Sequence, residues 1–316
     1  MRDNFQREIN YLRVSITDFC NFRCSYCMPK QGVEVKRRED ILSLEEIYHV
    51  IHTFVEKGVN KVRLTGGEPL LRKNIIGLIE SISKIKKIED FAMTTNGFLL
   101  KDYAQDLKNA GLDRVNISLD TLDPRKFEKI TTYDGFDRVW EGLEEALSAG
   151  LGVKINTVLM KGINDDEIES LASLTHKYPI DVRFIELMPI GQTKEFSRKH
   201  FLSCDYVLNL LDLQEEKRDD PHSPACHYRL RGAMGRVGLI RPMSRHFCQE
   251  CNRLRLTSDG RIKPCLHSDY TLDLKEAIRR GEDIRPIIDR SLEVKPQRHH
   301  ILEGQTIKES MSGIGG

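Results

Sequence analysis

The sequence predicts an α/β fold, an incomplete six-stranded βα barrel of the TIM type followed by a smaller C-terminal α+β extension. Two observations predict this fold. Up to about residue 190, six short β-like runs alternate with longer segments of helical period, which is typical of a parallel sheet with helices on its outer face. The runs also alternate apolar with polar residues, whereas parallel strands covered on both faces are normally apolar throughout.

The alternation predicts what lines the inside of the barrel. In the first run, apolar residues alternate with Arg13, Ser15 and Thr17. A full eight-stranded barrel fills its interior with branched side chains, so polar inward faces indicate fewer strands, incomplete closure and a basic lumen. An antiparallel sheet with one solvated face is the alternative, but a long helical connection follows every strand. The predicted strands are Leu12 to Thr17, Lys61 to Thr65, Phe91 to Thr95, Arg114 to Leu119, Val153 to Leu159 and Val182 to Leu187.

Two of the helical segments carry start signals. The segment LSLEEIYHVIHTFVEKG opens with a capping box from Ser43 to Glu46 and is expected to end at Gly58. In NDDEIESLASLTHKY, Asn164 is the expected N-cap and Glu167 takes the third helical position.

The composition and the pattern of the sequence change after about residue 195. A charged stretch, LQEEKRDDPHSPACHY, precedes two short β-like pieces, RVGLIRP and NRLRLTS, and two helical segments near residues 271–292. We therefore expect a barrel domain over residues 1–195 and a smaller region over residues 196–316 that closes one side of the barrel.

Composition excludes several classes of function. Lys plus Arg total 49 and Asp plus Glu total 48, so the chain lacks the excess positive charge on which nucleic-acid and membrane-surface binding depend. An anionic ligand must then be held by locally placed basic residues. The first ten residues carry no secretory signal, and no apolar run is long enough to span a membrane, which predicts a cytoplasmic protein. Thiols stay reduced there, so the eight cysteines are expected to be metal ligands or reactive groups.

The strongest local motif follows the first predicted strand. Cys20, Cys24 and Cys27 form the run CNFRCSYC, and three thiolates within eight residues can reach three corners of a cubane cluster. One iron is then left without a protein ligand and can bind a substrate or cofactor. Structural zinc is the alternative, but it takes four protein ligands and no fourth is supplied nearby.

A second triplet lies in the C-terminal region. Cys248, Cys251 and Cys265 suit an iron–sulfur cluster, and zinc is an equal rival here because His246 or His267 could complete a Cys3His site. Two incomplete triplets in one chain favour two clusters, each with one open iron. Cys204 and Cys226 match neither spacing and are read as small buried hydrophobic residues.

The motif CNFRCSYC resembles the hallmark of the radical S-adenosylmethionine (SAM) superfamily. Four supporting motifs follow predicted strands, where barrel enzymes place their chemistry: GGEP at 66–69, TTNG at 94–97, SLD at 118–120 and LMP at 187–189. RFIELMPIG, FCQECNRLRLTSDGRIKPCL and the closing MSGIGG further resemble the GTP 3',8-cyclase family. The likeness spans Leu12 to Gly316, and the least typical stretch is Pro221 to Tyr228.

The resemblance implies a lyase that starts molybdenum cofactor biosynthesis. It would convert GTP to (8S)-3',8-cyclo-7,8-dihydroguanosine 5'-triphosphate by abstracting hydrogen from ribose C3' and joining C3' to guanine C8. It implies two [4Fe–4S] clusters, one on Cys20, Cys24 and Cys27 that binds SAM, and one on Cys248, Cys251 and Cys265 that binds guanine. The positions implied for SAM are Tyr26, Gly67, Ser118 and Met188, and those for GTP are Arg13, Arg63, Thr94, Lys154, Arg253, Leu254 and Arg255.

The resemblance also gives a role to the tail. Glycine-rich termini are usually frayed, but in this family paired glycines reach the active site, so Gly315 and Gly316 are expected to be needed for turnover. It further implies an external electron donor, a homodimer and hand-over of the product to the cyclic pyranopterin monophosphate synthase.

Two rival functions stay open at this point. One is a peptide-modifying radical SAM enzyme with an auxiliary iron–sulfur cluster, which would need a peptide channel instead of a triphosphate pocket. The other is a zinc-binding module without enzymatic activity.

Overall fold

The computed structural model describes residues 1–29, 31–32, 36–303, 307 and 309–315. The strands are β1 (Tyr11–Ser15), β2 (Lys61–Thr65), β3 (Asp90–Thr95), β4 (Arg114–Ser118), β5 (Gly152–Leu159), β6 (Asp181–Glu186), β7 (Leu213–Glu216), β8 (Ala225–Leu230), β9 (Val237–Ile240), β10 (Arg253–Leu256), β11 (Arg261–Lys263) and β12 (Leu272–Asp273). Each of the six predicted strands overlaps one of β1 to β6, so the predicted run of βα units is confirmed.

Helices connect these strands in the predicted alternation. They are α1 (Leu44–Glu56), α2 (Ile75–Ser83), α3 (Leu100–Asn109), α4 (Pro124–Thr131), α5 (Phe136–Ser148), α6 (Ile168–Lys177), α7 (Lys194–Lys199), α8 (Asp205–Leu210), α9 (Lys275–Arg279), α10 (Arg285–Glu293) and α11 (Met311–Ile314). Within the described ranges, no helix combines the length and apolar character that crossing a membrane requires.

The described strands form one sheet in the order β12-β11-β10-β1-β2-β3-β4-β5-β6-β9-β8-β7. Strands β1 to β6 pair in parallel, and β10 and β9 add parallel strands at the two edges. The C-terminal strands therefore extend the sheet at both edges, whereas the sequence suggested an extension that closes one side. Side chains from both halves of the chain can reach one interior as a result.

The core lies between the sheet and its helices, as the alternation predicts. Leu12 and Val14 of β1 and Val62 and Leu64 of β2 are buried in it, next to apolar residues of α1 such as Phe54. The intervening residues of these strands are only partly buried. The apolar face thus meets the helices, and the polar face is left for the interior.

The two predicted helix starts have different outcomes. In α1, the Ser43 hydroxyl accepts from the Glu46 amide, and the Glu46 carboxylate accepts from the Ser43 amide, so the capping box is confirmed. Asn164 takes the predicted N-cap position, at the start of a short 3-10 helix (Asp165–Glu167) that leads into α6, but its side chain forms no cap hydrogen bond. Its side chain accepts from the Met160 amide and donates to the carbonyl of Asp120, because a buried amide there ties two strand ends together.

Candidate active site

One cavity of 720 Å³ lies inside the curved sheet. Its wall includes side chains from β1 to β6 and from β8, β9 and β10. Both cysteine triplets line it, the first on the loop after β1 and the second on the segments around β10 and β11. Residues more than 200 positions apart in the sequence therefore meet at one site.

The loop of the first triplet packs closely against the loop that follows β2. The Gly67 amide donates to the Thr17 carbonyl at 2.8 Å, and the Glu68 amide donates to the Phe19 carbonyl at 2.8 Å. A Cβ added at Gly67 would lie 2.2 Å from the Phe19 carbonyl oxygen, which no side chain tolerates. The glycine is therefore required by the approach of the cysteine loop, a reason that the sequence alone does not reveal.

Burial and acidic neighbours govern the first triplet's chemistry. Burial, with the charge of Glu68 adding to it, raises the pKa of the Cys20 thiol to about 11. Burial and the nearby Cys20 raise the pKa of Cys27 to about 12, and the pKa of Cys24 is also well above its ordinary value because of burial and Cys27. These thiols are protonated at neutral pH without metal, so metal binding has to displace protons.

The second triplet lies in basic surroundings. Burial tends to raise the pKa of Cys251, but the charges of Lys295 and Arg253 outweigh it and bring this pKa down to about 6. The Cys251 Sγ accepts from the Lys295 Nζ at 3.6 Å. The pKa of Cys265 is raised because burial outweighs the charge of Lys295. The two triplets thus differ in local charge, although they share a cavity.

The donor set fits two iron–sulfur clusters. All eight cysteines lie in the described part of the chain and none forms a disulfide, and thiolates are the ligands that such clusters take. Among the described residues, no three His, Cys, Asp or Glu side chains converge on a point that could hold a single metal ion. Thiolates that bind different irons of one cluster need not converge in that way.

The positions implied for SAM line the same cavity as the first triplet. They are Tyr26, Gly67, Ser118 and Met188. The Tyr26 hydroxyl donates to Asp120 at 2.8 Å, and burial raises the pKa of that carboxyl to about 6. The Tyr26 carbonyl accepts from the Thr193 hydroxyl at 2.8 Å, so the loop is fixed from both sides.

Most of the positions implied for GTP also line the cavity, namely Arg13, Arg63, Thr94, Lys154, Arg253 and Arg255. Lys154 pairs with Asp181 at 2.7 Å, and burial together with the charge of Arg183 lowers its pKa to about 8. Leu254 is the exception. Its side chain is buried in the core, so only its backbone could face a ligand.

Sequence reasoning missed several polar groups of the cavity wall. Arg183 of β6 lines it, and burial with the charge of Arg63 lowers the pKa of Arg183 to about 10. His227 of β8 lines it with both ring nitrogens lacking a partner among the described residues. The alternation that identified Arg13 also marks Arg183, whereas nothing local marks His227, which reaches the cavity through the pairing of β8 with β9.

The C-terminal tail enters this site. The Gly315 carbonyl accepts from Arg255 at 2.8 Å and from Arg13 at 3.4 Å. Gly315 has φ +69°, and an added Cβ would lie 2.6 Å from the Thr65 Oγ1. The predicted role of Gly316 falls outside the described residues. The tail therefore reaches two of the arginines implied for GTP.

Comparisons with known proteins agree with this geometry. The family described as the radical SAM superfamily matches residues 14–175, and the family described as Molybdenum Cofactor Synthesis C matches residues 180–301. The crystal structure of Streptococcus suis SuiB bound to S-adenosylmethionine has a TM-score of 0.63 at 17% identity and covers 91% of this chain and 69% of its own. The fold and the cysteine site define a radical SAM protein.

Full-length relatives narrow the class. GTP 3',8-cyclase of Peptoclostridium acidaminophilum is 51% identical over 99% of this chain and 98% of its own. GTP 3',8-cyclase of Alkaliphilus metalliredigens is 50% identical over the whole of both chains. The chain belongs to the GTP 3',8-cyclase family, radical SAM enzymes of molybdenum cofactor biosynthesis that use SAM and iron–sulfur clusters.

Proposed function

We propose that this chain converts GTP to (8S)-3',8-cyclo-7,8-dihydroguanosine 5'-triphosphate, the first step of molybdenum cofactor biosynthesis. The observation that carries the proposal is the shared cavity. Both cysteine triplets line it, together with a group of basic residues. The family membership supports the choice of GTP. The division into residues 1–195 and 196–316 belongs to the same proposal, with each part supplying one triplet.

In this proposal, Cys20, Cys24 and Cys27 hold the SAM-binding cluster, and Cys248, Cys251 and Cys265 hold the guanine-binding cluster. When bound, the first cluster and SAM supply the radical that takes hydrogen from the ribose C3'. Tyr26, Gly67, Ser118 and Met188 position SAM. The chain's own task is to fix the geometry and exclude water, since a reactive centre gains most from orientation.

The basic wall has the chemistry to hold a triphosphate. Arginine guanidinium groups bind phosphate oxygens in bidentate fashion, and Arg13, Arg63 and Arg255 are partly buried cations that line the cavity. Burial lowers the pKa of each of them, and repulsion from neighbouring arginines, Arg253 among them, lowers it further. A bound anion would relieve that repulsion, because an opposite charge stabilises the charged form. Thr94, Lys154, Arg253 and the backbone of Leu254 complete the proposed GTP contacts.

Gly315 and Gly316 are proposed to order this basic wall for turnover. The Gly315 carbonyl shares Arg13 and Arg255 with the proposed substrate site, so the tail orients their guanidinium groups. An external electron donor, a homodimer and hand-over of the product to the cyclic pyranopterin monophosphate synthase complete the proposal.

The test is an anaerobic incubation of the reconstituted enzyme with SAM, dithionite and GTP. We expect 5'-deoxyadenosine and the cyclic nucleotide to form in equal amounts, and both to depend on GTP. ATP in place of GTP serves as the control. Deoxyadenosine that forms at the same rate with or without GTP would contradict the proposal and favour a peptide-modifying enzyme.

A further inference from the structure

A lysine is buried directly behind the second cysteine triplet. Lys295, two residues after α10, is 3% exposed. Its Nζ donates to the Pro264 carbonyl at 2.7 Å, to the Arg253 carbonyl at 2.8 Å and to the Cys251 Sγ at 3.6 Å. An ammonium group has three donors, and these three acceptors use all of them.

The acceptors belong to the two segments that carry the cysteines. Arg253 lies two residues after Cys251, and Pro264 immediately precedes Cys265. One ammonium group therefore ties both segments together. No carboxylate of the described residues forms an ion pair with Lys295, so its charge is left for the cysteine thiolates to neutralise.

A buried cation without an anion is costly, because its hydration is lost without compensation. The group that can compensate Lys295 is the anionic thiolate set itself. We propose that Lys295 is the fixed counter-charge of the second cluster, which holds its two ligand segments together and raises its reduction potential. This inference rests on the proposed function, since it takes the second cluster as given.

The direction of the effect follows from electrostatics. Reduction adds negative charge to the cluster, and a nearby cation in a low-dielectric region stabilises that charge. Hydrogen bonds to cluster sulfurs and local charge are among the known determinants of such potentials. Removing the charge of Lys295 should therefore make the cluster harder to reduce.

Arg7 provides a matched control, because it also donates to backbone carbonyls next to the second triplet and to the segment that follows Lys295. Arg7 donates to the Cys248 carbonyl at 2.7 Å, to the Pro296 carbonyl at 2.7 Å and to the Gln297 carbonyl at 2.9 Å. Unlike Lys295, Arg7 is neutralised by the buried Asp3 at 2.6 Å. Replacing both partners removes contacts behind the triplet without changing the net charge.

The experiment isolates the second cluster in the full chain by the triple substitution Cys20→Ala, Cys24→Ala and Cys27→Ala. In this background, Lys295→Gln, Lys295→Arg and the pair Asp3→Asn with Arg7→Gln are compared by redox titration followed by electron paramagnetic resonance. We expect Lys295→Gln to change the reduced-to-oxidised ratio by at least tenfold, a shift to lower potential of 59 mV for one electron. Lys295→Arg and the Asp3 and Arg7 pair should shift it by less than threefold.

Each result decides the matter. A Lys295→Gln protein that keeps its cluster at the parental potential overturns the inference and leaves the proposed function intact. Loss of iron in Lys295→Gln but not in Lys295→Arg supports it, since charge is then needed to retain the cluster, whereas loss in both overturns it. A parental triple variant without iron refutes the second cluster itself, and the proposed function fails with it.

Discussion

The two cysteine triplets line the same cavity in opposite electrostatic surroundings. Around the first, the buried carboxyls of Glu68 and Asp120 have pKa values raised to about 7 and about 6 by burial, and the thiols are harder to ionise than usual. Around the second, Lys295 and Arg253 make Cys251 easier to ionise. One site thus favours neutral or positively charged partners, and the other favours negatively charged ones.

This difference matches the two partners in the proposed function. SAM, with its positively charged sulfonium, is proposed to bind at the first triplet, and the anionic GTP is proposed to contact Arg253 beside the second triplet. Different local charges therefore favour a different ligand at each triplet. The near balance of acidic and basic residues in the whole chain conceals this separation, because it arises only when the sheet brings distant residues together.

The largest expected effect comes from removing one cysteine of each triplet, which tests whether the two triplets have separate roles. Cys24→Ala and Cys251→Ala should each lower the iron content from about eight to about four atoms per chain, and both should abolish cyclisation. Only Cys24→Ala should also abolish SAM cleavage, because the first cluster alone is proposed to bind SAM. Iron analysis and chromatography of 5'-deoxyadenosine measure the two effects.

Cys204→Ala is the control for this pair, because its thiol is buried in the core, donating to the carbonyl of Phe184 at 3.5 Å. It should keep the full iron content. SAM cleavage lost equally in Cys24→Ala and Cys251→Ala would contradict the division of labour between the two triplets.

The next effect tests the packing that holds the first triplet. In Gly67→Ala, the new Cβ would meet the backbone oxygen of Phe19 at 2.2 Å, so the cysteine loop has to move by about 1 Å. Misplacement on that scale costs about 100-fold in rate. We expect SAM cleavage to fall by about that factor in initial-rate measurements.

Gly77→Ala is the matched substitution for Gly67→Ala. Gly77 lies in α2, where an added Cβ meets nothing within 4 Å, so alanine should stabilise the helix by about 1 kcal/mol and leave SAM cleavage unchanged. Equal losses of activity in the two variants would show that the contact with Phe19 is not the cause.

The tail gives a smaller effect. Gly315→Ala forces alanine into a left-handed conformation, which costs roughly 1–2 kcal/mol, and places its Cβ against Thr65. Since 1.36 kcal/mol corresponds to a factor of ten, we expect cyclisation to fall about tenfold, while iron content stays constant. Gly313→Ala, whose Cβ comes no closer than 3.7 Å to the Ser310 Oγ, should retain activity. A tenfold loss in Gly313→Ala would point to general disorder of the tail.

Many residues of the site could be predicted from the sequence, because the patterns that mark them are local. Alternation within strands places Arg13 and Arg63 on the interior face, and the spacing of the cysteines identifies both triplets. The capping box at Ser43 likewise depends only on residues three apart.

The remainder depends on pairings that no local pattern encodes. Lys295 meets Cys251 only because the segment after α10 comes back to the start of β10, and the need for glycine at 67 comes from the approach of a different loop. Asn164 looks like a helix cap by spacing, yet its amide ties strand ends together. Tertiary contacts decide these cases, so sequence patterns alone do not.

The smallest expected effect is a difference in thiol reactivity between Cys251 and Cys27 after removal of iron. Since the pKa of Cys251 is about 6, this thiol is already mostly ionised at pH 7, and its rate of alkylation should rise less than about twofold between pH 7 and pH 9. The pKa of Cys27 is about 12, so its rate should rise about tenfold per pH unit over the same range. Mass spectrometry of iodoacetamide-treated peptides measures both rates.

The same values fix the sign of the pH dependence of stability in the iron-free protein. Folding lowers the pKa of Cys251, so its contribution to the free energy of unfolding is present above the unfolded pKa and is lost as pH falls through about 6. Folding raises the pKa of Cys27, whose contribution is present below the unfolded pKa and is lost as pH rises toward 12. Lys295→Gln should move the Cys251 profile to higher pH and leave the Cys27 profile unchanged, since Lys295 acts on Cys251 and not on Cys27. If Lys295→Gln leaves the pH dependence of Cys251 alkylation unchanged, Lys295 is not the charge that distinguishes the second triplet from the first.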